Sequence, residues 1–254
     1  MTVLFSLASV VLVSLISLIG LFTISMDEGR LRRLATSSIS FAVGALLGDA
    51  FIHLIPEVFA GASVPATSLR QSLLVLAGMM SFFVVEKLLR HSHGVLHAHH
   101  HGGQAHPELT TINVIGDAIH NYIDGLLIGG SYLVSPEVGL STTLAVLLHE
   151  LPQELGDFGI LIHGGLSART ATLVNLASAS VAIAGTLTAL LVGSIARESF
   201  TAILLPMTAG GFVYLATADL IPELQHDRSL QALAVQSLLI VAGIGVMSVL
   251  TLVD

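Results

Sequence analysis

Cysteine is absent from this 254-residue chain, and so is tryptophan. The first absence removes disulfides, thiolate metal sites and a thiol nucleophile together. Charge is also scarce: Asp, Glu, Lys and Arg supply 10% of residues, against about 25% in ordinary soluble domains. That is too little to give a water-facing surface to a chain that is 54% apolar, with a mean hydropathy of +0.89. The composition therefore points to an all-α polytopic membrane protein. At a formal net charge of −8 no nucleic-acid partner is expected. The first apolar stretch opens at Val3 with neither a basic leader nor a small-residue cleavage signal, so it reads as a span and not as a removable signal.

Crossing a hydrocarbon core of about 30 Å takes roughly 20 helical residues. On that measure the chain, residues 1–254, reads as a single transmembrane domain of eight spans: 3–24, 38–59, 72–90, 110–133, 138–163, 170–194, 201–223 and 231–252. The connections are short except at 91–108, which holds seven histidines (91, 93, 97, 99, 100, 101 and 106). That composition predicts a flexible, metal-attracting loop without fixed structure. With the N-terminus outside, the inside connections carry Arg30, Arg32, Arg33, Lys87, Arg90, Arg169 and Arg228, and the outside ones only Arg70 and Arg197. The basic residues thus place both termini outside and the histidine loop in the cytoplasm. The expectation is a multi-pass protein of the cell membrane, with the lipid bilayer as its surroundings.

The chain also resembles itself. Leu54-Ile55-Pro56-Glu57 in span two returns as Leu220-Ile221-Pro222-Glu223 in span seven, preceded by His53 in one case and Asp219 in the other. These spans run in opposite directions in the topology above. The central pair, spans four and five, likewise carries His120-Asn121-Tyr122-Ile123-Asp124 against His149-Glu150-Leu151-Pro152-Gln153. The pattern suits an inverted 3+2+3 repeat with the site on the middle pair.

The acids lie where a bilayer least tolerates them. His149 to Asp157 contains His149, Glu150, Glu154 and Asp157, and each ionised group at mid-depth costs roughly 2.5–3.5 kcal/mol on insertion scales. Positions i and i+4 share a helix face, so His120 pairs with Asp124 and His149 with Gln153. Asn121 and Glu150 stand one position further round. Imidazole and carboxylate together suit a divalent metal ion, and a cation offsets the cost of buried Asp124 and Glu150. Pro152 cannot donate to Leu148 O and is expected to kink its span. Asp117 is placed to orient His120. Glu154 and Asp157 extend the polar face or satisfy the hydroxyls of Ser178 and Ser180. Asp49, His53 and Glu57 would form an acidic entrance, and Asp219 and Glu223 an acidic exit.

At His120-Asn121-x-x-Asp124-Gly125 and His149-Glu150-x-Pro152-x-Glu154-x-Gly156-Asp157 the chain resembles the ZIP family of divalent metal transporters, in the branch with H-N-x-x-D-G and H-E-x-P-H-E-x-G-D signatures. The similarity extends to Gly48-Asp49-Ala50, Pro56-Glu57, Val85-Glu86-Lys87-Leu88, Gly116-Asp117 and Ala209-Gly210-Gly211-Phe212-Val213-Tyr214. The resemblance implies eight helices, a homodimer, no cofactor, and metal moved into the cytoplasm: Zn2+ first, with Fe2+, Mn2+ and Cd2+ open. Gln153 replaces the second histidine of that signature. A carboxylate that some members carry in span six has no counterpart in 170–194. Two other readings stand beside transport. His149-Glu150-Leu151-Pro152-Gln153 is one residue short of H-E-x-x-H, the motif of an intramembrane zinc protease. A non-transporting metal sensor is the other.

Overall fold

The computed structural model describes residues 1–23, 26–60, 64–97, 107–226 and 229–252, and every regular element among them is helical. In chain order these are α1 (Thr2–Ser14), a 3-10 segment (Leu15–Ile19), α2 (Gly20–Thr23), α3 (Glu28–Gly48), a π turn (Asp49–Leu54), α4 (Ile55–Phe59), α5 (Pro65–His97), α6 (Pro107–Val134), α7 (Pro136–His163), α8 (Ala168–Ala179), α9 (Val181–Tyr214), a second π turn (Leu215–Leu220), α10 (Ile221–Leu224) and α11 (Leu230–Leu250). The chain is an all-α polytopic membrane protein. Five described stretches are long and apolar enough to cross a bilayer: Thr2–Thr23, Gly29–Phe59, Pro65–Leu88, Ala168–Leu224 and Leu230–Leu250. α6 and α7, which carry histidines, amides and acids among their apolar residues, are not among them.

Serine marks the helix starts. Ser135, Ser167 and Ser229 cap α7, α8 and α11 by accepting from the amides of Val138, Thr170 and Ala232, which satisfies one of the free N–H groups at each end. α9 is interrupted at Ala196, whose φ of −143° and ψ of 50° leave the helical region. The break falls between the expected spans six and seven. α7, by contrast, stays helical through Pro152. One loop expectation is corrected: α5 continues to His97, so His91, His93 and His97 lie on helical backbone. Nothing in Gly94-Val95-Leu96 breaks the α5 hydrogen-bond ladder as a proline would. His99, His100, His101 and His106 lie outside the described residues.

The two Leu-Ile-Pro-Glu copies have the same backbone. A proline withholds one N–H and crowds the carbonyl four residues back, and the turn before each proline has widened. The amide of Ile55 donates to Ala50 O and that of Ile221 to Ala216 O, each five residues back. The first π turn packs against α9 and the second against α3. Close helix approaches repeat with the same regularity. A Cβ on Gly44 would lie 2.0 Å from Ile240 O, and one on Gly243 2.4 Å from Phe41 O, so α3 and α11 touch backbone to backbone. A Cβ on Gly210 would lie 2.0 Å from Val75 O, and one on Gly78 2.2 Å from Met207 O, which joins α9 to α5 in the same way. Gly44 and Phe41 become Gly210 and Met207 on adding 166 to each number, while Ile240 and Gly243 become Val75 and Gly78 on subtracting 165.

α6 lies at the middle, packed on α9 and α7. Gly125 and Gly185 let α6 and α9 meet, since added Cβ atoms would stand 1.8 Å from Ala182 O and 2.1 Å from Tyr122 O. Thr186 Oγ1 donates to Gly125 O at 2.9 Å across the same seam. That contact fixes the rotation of α6 and turns the face carrying His120 and Asp124 towards α7.

Candidate metal centre

His120 and Asp124 from α6 meet His149 and Glu150 from α7. One ligand atom from each lies within 4.8 Å of all the others. His149 Nε2 is 3.2 Å from Asp124 Oδ2 and 3.7 Å from Glu150 Oε1. His120 Nε2 is 3.7 Å from Asp124 Oδ2, 3.4 Å from Glu150 Oε1 and 3.4 Å from His149 Nε2. Four ligands held tetrahedrally at bond lengths of about 2.0–2.1 Å stand about 3.3 Å apart. The five separations, 3.2 to 3.7 Å, bracket that value.

The tautomer of His149 follows from its other nitrogen. Nδ1 lies 3.1 Å from Ala145 O, and a carbonyl can only accept, so Nδ1 carries the hydrogen. In the neutral ring Nε2 then presents a lone pair to the cluster, the arrangement that metal-bound imidazoles use. Phe212, itself fully buried, closes the far side with its ring 6.3 Å from that of His149. His149, Glu150 and Asp124 are buried, whereas the His120 side chain keeps 17% of its surface exposed. Both oxygens of Asp124 and Oε1 of Glu150 are buried with no hydrogen-bond donor. Burying polar groups so bare is costly unless a charge partner arrives.

The remaining expected residues fall around this cluster in distinct places. Asn121 Nδ2 donates to Asp117 Oδ1 at 2.8 Å and to Asp117 O at 3.1 Å, leaving its own buried Oδ1 without a partner. Gln153 does not join His149. Its Nε2 lies 3.4 Å from Asp117 Oδ1, so Asp117 organises Asn121 and Gln153 together. Glu154 is buried and takes a short hydrogen bond from Asn175 Nδ2. Asp157 Oδ1 accepts from Asn113 Nδ2 at 2.9 Å. Of the two uses the sequence offers for these acids, extending the polar face or satisfying serine hydroxyls, the structure shows no bond to Ser178 or Ser180 among the described contacts. Ser178 Oγ instead donates across to Val114 O of α6, and Ser180 Oγ to Leu176 O four residues back, the local bond a helical serine commonly makes. Asn113 and Asn175 were overlooked. The available signal was a primary amide inside an otherwise apolar run, a costly choice unless it is paired.

Away from the centre, Asp49 and His53 sit on the first π turn, both buried, with His53 Nδ1 3.3 Å from Asp49 Oδ1. Thr142 Oγ1 of α7 lies 3.4 Å from Asp49 Oδ2, which links this pair to the helix carrying His149. Asp219 stands on the second π turn at the position matching His53, and is half-buried. Glu57 and Glu223 are exposed.

A family model described as ZIP Zinc transporter matches residues 1–111 and 91–251. The chain is 32% identical over 261 residues to zinc transporter ZIP13 of Danio rerio, covering 84% of this chain and 75% of that protein. It is 33% identical over 323 residues to zinc transporter SLC39A7 of Mus musculus, covering 94% and 67%. Against zinc transporter ZIP4 of Homo sapiens it is 35% identical over 254 residues, covering 75% of this chain and 38% of the relative.

Proposed function

The chain belongs to the ZIP zinc transporter family, and from that premise we propose that it carries zinc across the membrane through the α6–α7 cluster, with His120, Asp124, His149 and Glu150 as the ligands. Metal-ion transport, and not enzymatic turnover, is the activity of such a protein. The observation that carries the site is the set of ligand separations between 3.2 and 3.7 Å, which suits a tetrahedral ion with imidazole and carboxylate donors. Two histidines favour zinc over harder ions, while Fe2+, Mn2+ and Cd2+ remain competitors to be measured. The mixed donor set binds loosely enough to release a cargo, which a closed thiolate site would not.

Asp49 and His53 would receive the ion on one side, and the polar belt of Asp117, Asn121, Glu154 and Asp157 would pass it on. The partly exposed His120 is the ligand nearest water. Gln153 acts through Asp117 in this scheme, and the protease alternative lacks its second zinc ligand for the same reason. Eight crossings follow once α6 and α7 are counted and the Ala168–Leu224 stretch is divided at Ala196. At about 1.5 Å per residue its 57 residues would run about 85 Å, enough for two passages of a core of about 30 Å. The matched π turns and the matched glycine contacts support the inverted 3+2+3 arrangement. Both termini are placed outside on the distribution of arginines and lysines.

Purified protein in liposomes loaded with a zinc-sensitive dye tests the proposal. Wild type should admit zinc, His149→Ala should not, and added Fe2+, Mn2+ or Cd2+ should rank the competitors. Equal dye response in wild type, the variant and empty liposomes would leave a non-transporting sensor as the better reading.

A further inference from the structure

At the end of the molecule where α3 and α11 begin and α10 stops, a groove of about 1030 Å³ opens between them, at the upper end of ligand-sized clefts. Arg32 and Arg33 of α3 line it, and Ile39, Leu224 and Val235 supply apolar lining beside Thr36 and Gln236. Both arginines are exposed. The neighbouring Arg30 is held by Asp27 at 2.8 Å, but among the described residues Arg32 and Arg33 take part in no ion pair. The acid lining the groove, Glu223, has His226 beside it at 3.9 Å. The first turn of α11 also borders the cleft through Ser229 and Gln231, and a helix start is positively polarised. The sequence had suggested Glu223 for a departing cation. Two guanidinium groups with no ion pair among the described residues stand in the same groove, where they repel a divalent cation and favour an anion.

The groove lies at the membrane boundary, because the helices whose first turns line it are both candidate spans, Gly29–Phe59 and Leu230–Leu250. Polarity changes along it. Ile39 lies seven residues beyond Arg32, about 10 Å deeper at helical rise. A cationic rim over an apolar trough matches a molecule with a phosphate at one end and acyl chains at the other. We propose that this groove binds an anionic phospholipid, with its phosphate against Arg32 and Arg33 and its chains along Ile39 and Val235. Basic pockets between spans are a recurrent way to hold such headgroups, and the cytoplasmic leaflet is where anionic lipids concentrate. The inference rests on the membrane architecture and is independent of the transport reading.

Native mass spectrometry of the full-length protein released from detergent tests it, with dioleoyl phosphatidylglycerol and dioleoyl phosphatidylcholine added separately. Wild type should retain phosphatidylglycerol and shed phosphatidylcholine. R32Q/R33Q should weaken phosphatidylglycerol binding by about 10- to 30-fold, the loss expected for two interfacial basic residues. R32K/R33K, which keeps the charge, should retain most of it, and 10 mM inorganic phosphate should not displace the lipid. Equal retention of both lipids by wild type, undiminished phosphatidylglycerol binding in R32Q/R33Q, or displacement by inorganic phosphate alone would each overturn the proposal. Because the arginines are exposed, the variants should fold, and zinc uptake by the same preparations provides a check that they have.

Discussion

Asp124→Asn and Gln153→Ala form a paired test of which side chains hold the ion. Asp124 is fully buried, both its oxygens lack donors, and Oδ2 lies 3.2 Å from His149 Nε2. Asparagine preserves the shape and removes the charge. Taking one partner from a buried charged cluster costs about 3–5 kcal/mol, so the zinc Kd should rise at least about 100-fold. Gln153 is engaged with Asp117 Oδ1 at 3.4 Å and is absent from the four-residue cluster. Its loss disturbs only a supporting contact, for which a rise in Kd of about tenfold is the expectation. Thermal unfolding in detergent reads the difference directly. At zinc equal to 100 times the wild-type Kd, binding adds about 2.7 kcal/mol to the folded state, and a Kd weakened 100-fold leaves about 0.4 kcal/mol. At about 2–4 °C for each kcal/mol in a chain of this size, wild type should gain about 5–10 °C with zinc, Asp124→Asn about 1 °C, and Gln153→Ala, which keeps about 1.4 kcal/mol at ten times its Kd, about 3–6 °C. The same zinc-induced shift in Asp124→Asn as in wild type, or a Gln153→Ala variant as insensitive as Asp124→Asn, would refute the assignment.

Zinc affinity should fall as pH is lowered from 8 to 5, because His120 and His149 must release protons to ligate; a flat binding curve measured with a competing fluorescent chelator would exclude imidazole ligation. Asn175→Ala removes the donor to buried Glu154, so heat-challenged size-exclusion profiles should show a loss of about 1–3 kcal/mol. A profile matching wild type would show that the amide is dispensable. Gly44→Ala and Gly210→Ala each drive a Cβ to 2.0 Å from a carbonyl oxygen and should cost about 1–3 kcal/mol apiece. Gly245→Ala, which meets nothing within 4 Å, should be near neutral by the same assay. A Gly245→Ala penalty equal to the other two would defeat the packing argument.

The candidate pair His120–Asp124 was legible because i,i+4 spacing forces two side chains onto one helix face. Applied to α7, the same rule pairs His149 with Gln153, whereas in the structure Gln153 lies against Asp117 and Glu150 stands with His149 in the cluster. Spacing describes a single helix, whereas a site between helices depends on the rotation of each, and the α6–α9 glycine seam that sets it is a tertiary feature. Glu150 entered the cluster from the adjacent position because its carboxylate can swing towards α6 while Gln153 meets Asp117 first. The acids Glu154 and Asp157 were visible as costly, but their partners Asn113 and Asn175 come from helices 44 and 21 residues away. The apolar spans were legible from hydropathy alone. The continuation of α5 to His97 was not, since a histidine-rich composition carries no stop signal of its own.

The paired glycine contacts bear on the history of the chain. Apolar side chains facing lipid exchange for one another at small cost, so two copies of an ancestral segment soon cease to spell alike. A carbonyl oxygen 2.0 Å from where a methyl group would sit permits no such drift, and neither does a proline that has already widened its turn. Gly44 with Ile240 and Gly210 with Val75, displaced by 166 positions forward in one partner and 165 back in the other, are the kind of contact a duplicated and inverted unit would retain after the rest had diverged. On the inverted-repeat reading, the number of residues between glycine, π turn and proline dates from the ancestral half. Any substitution in one copy then has its own internal control in the other.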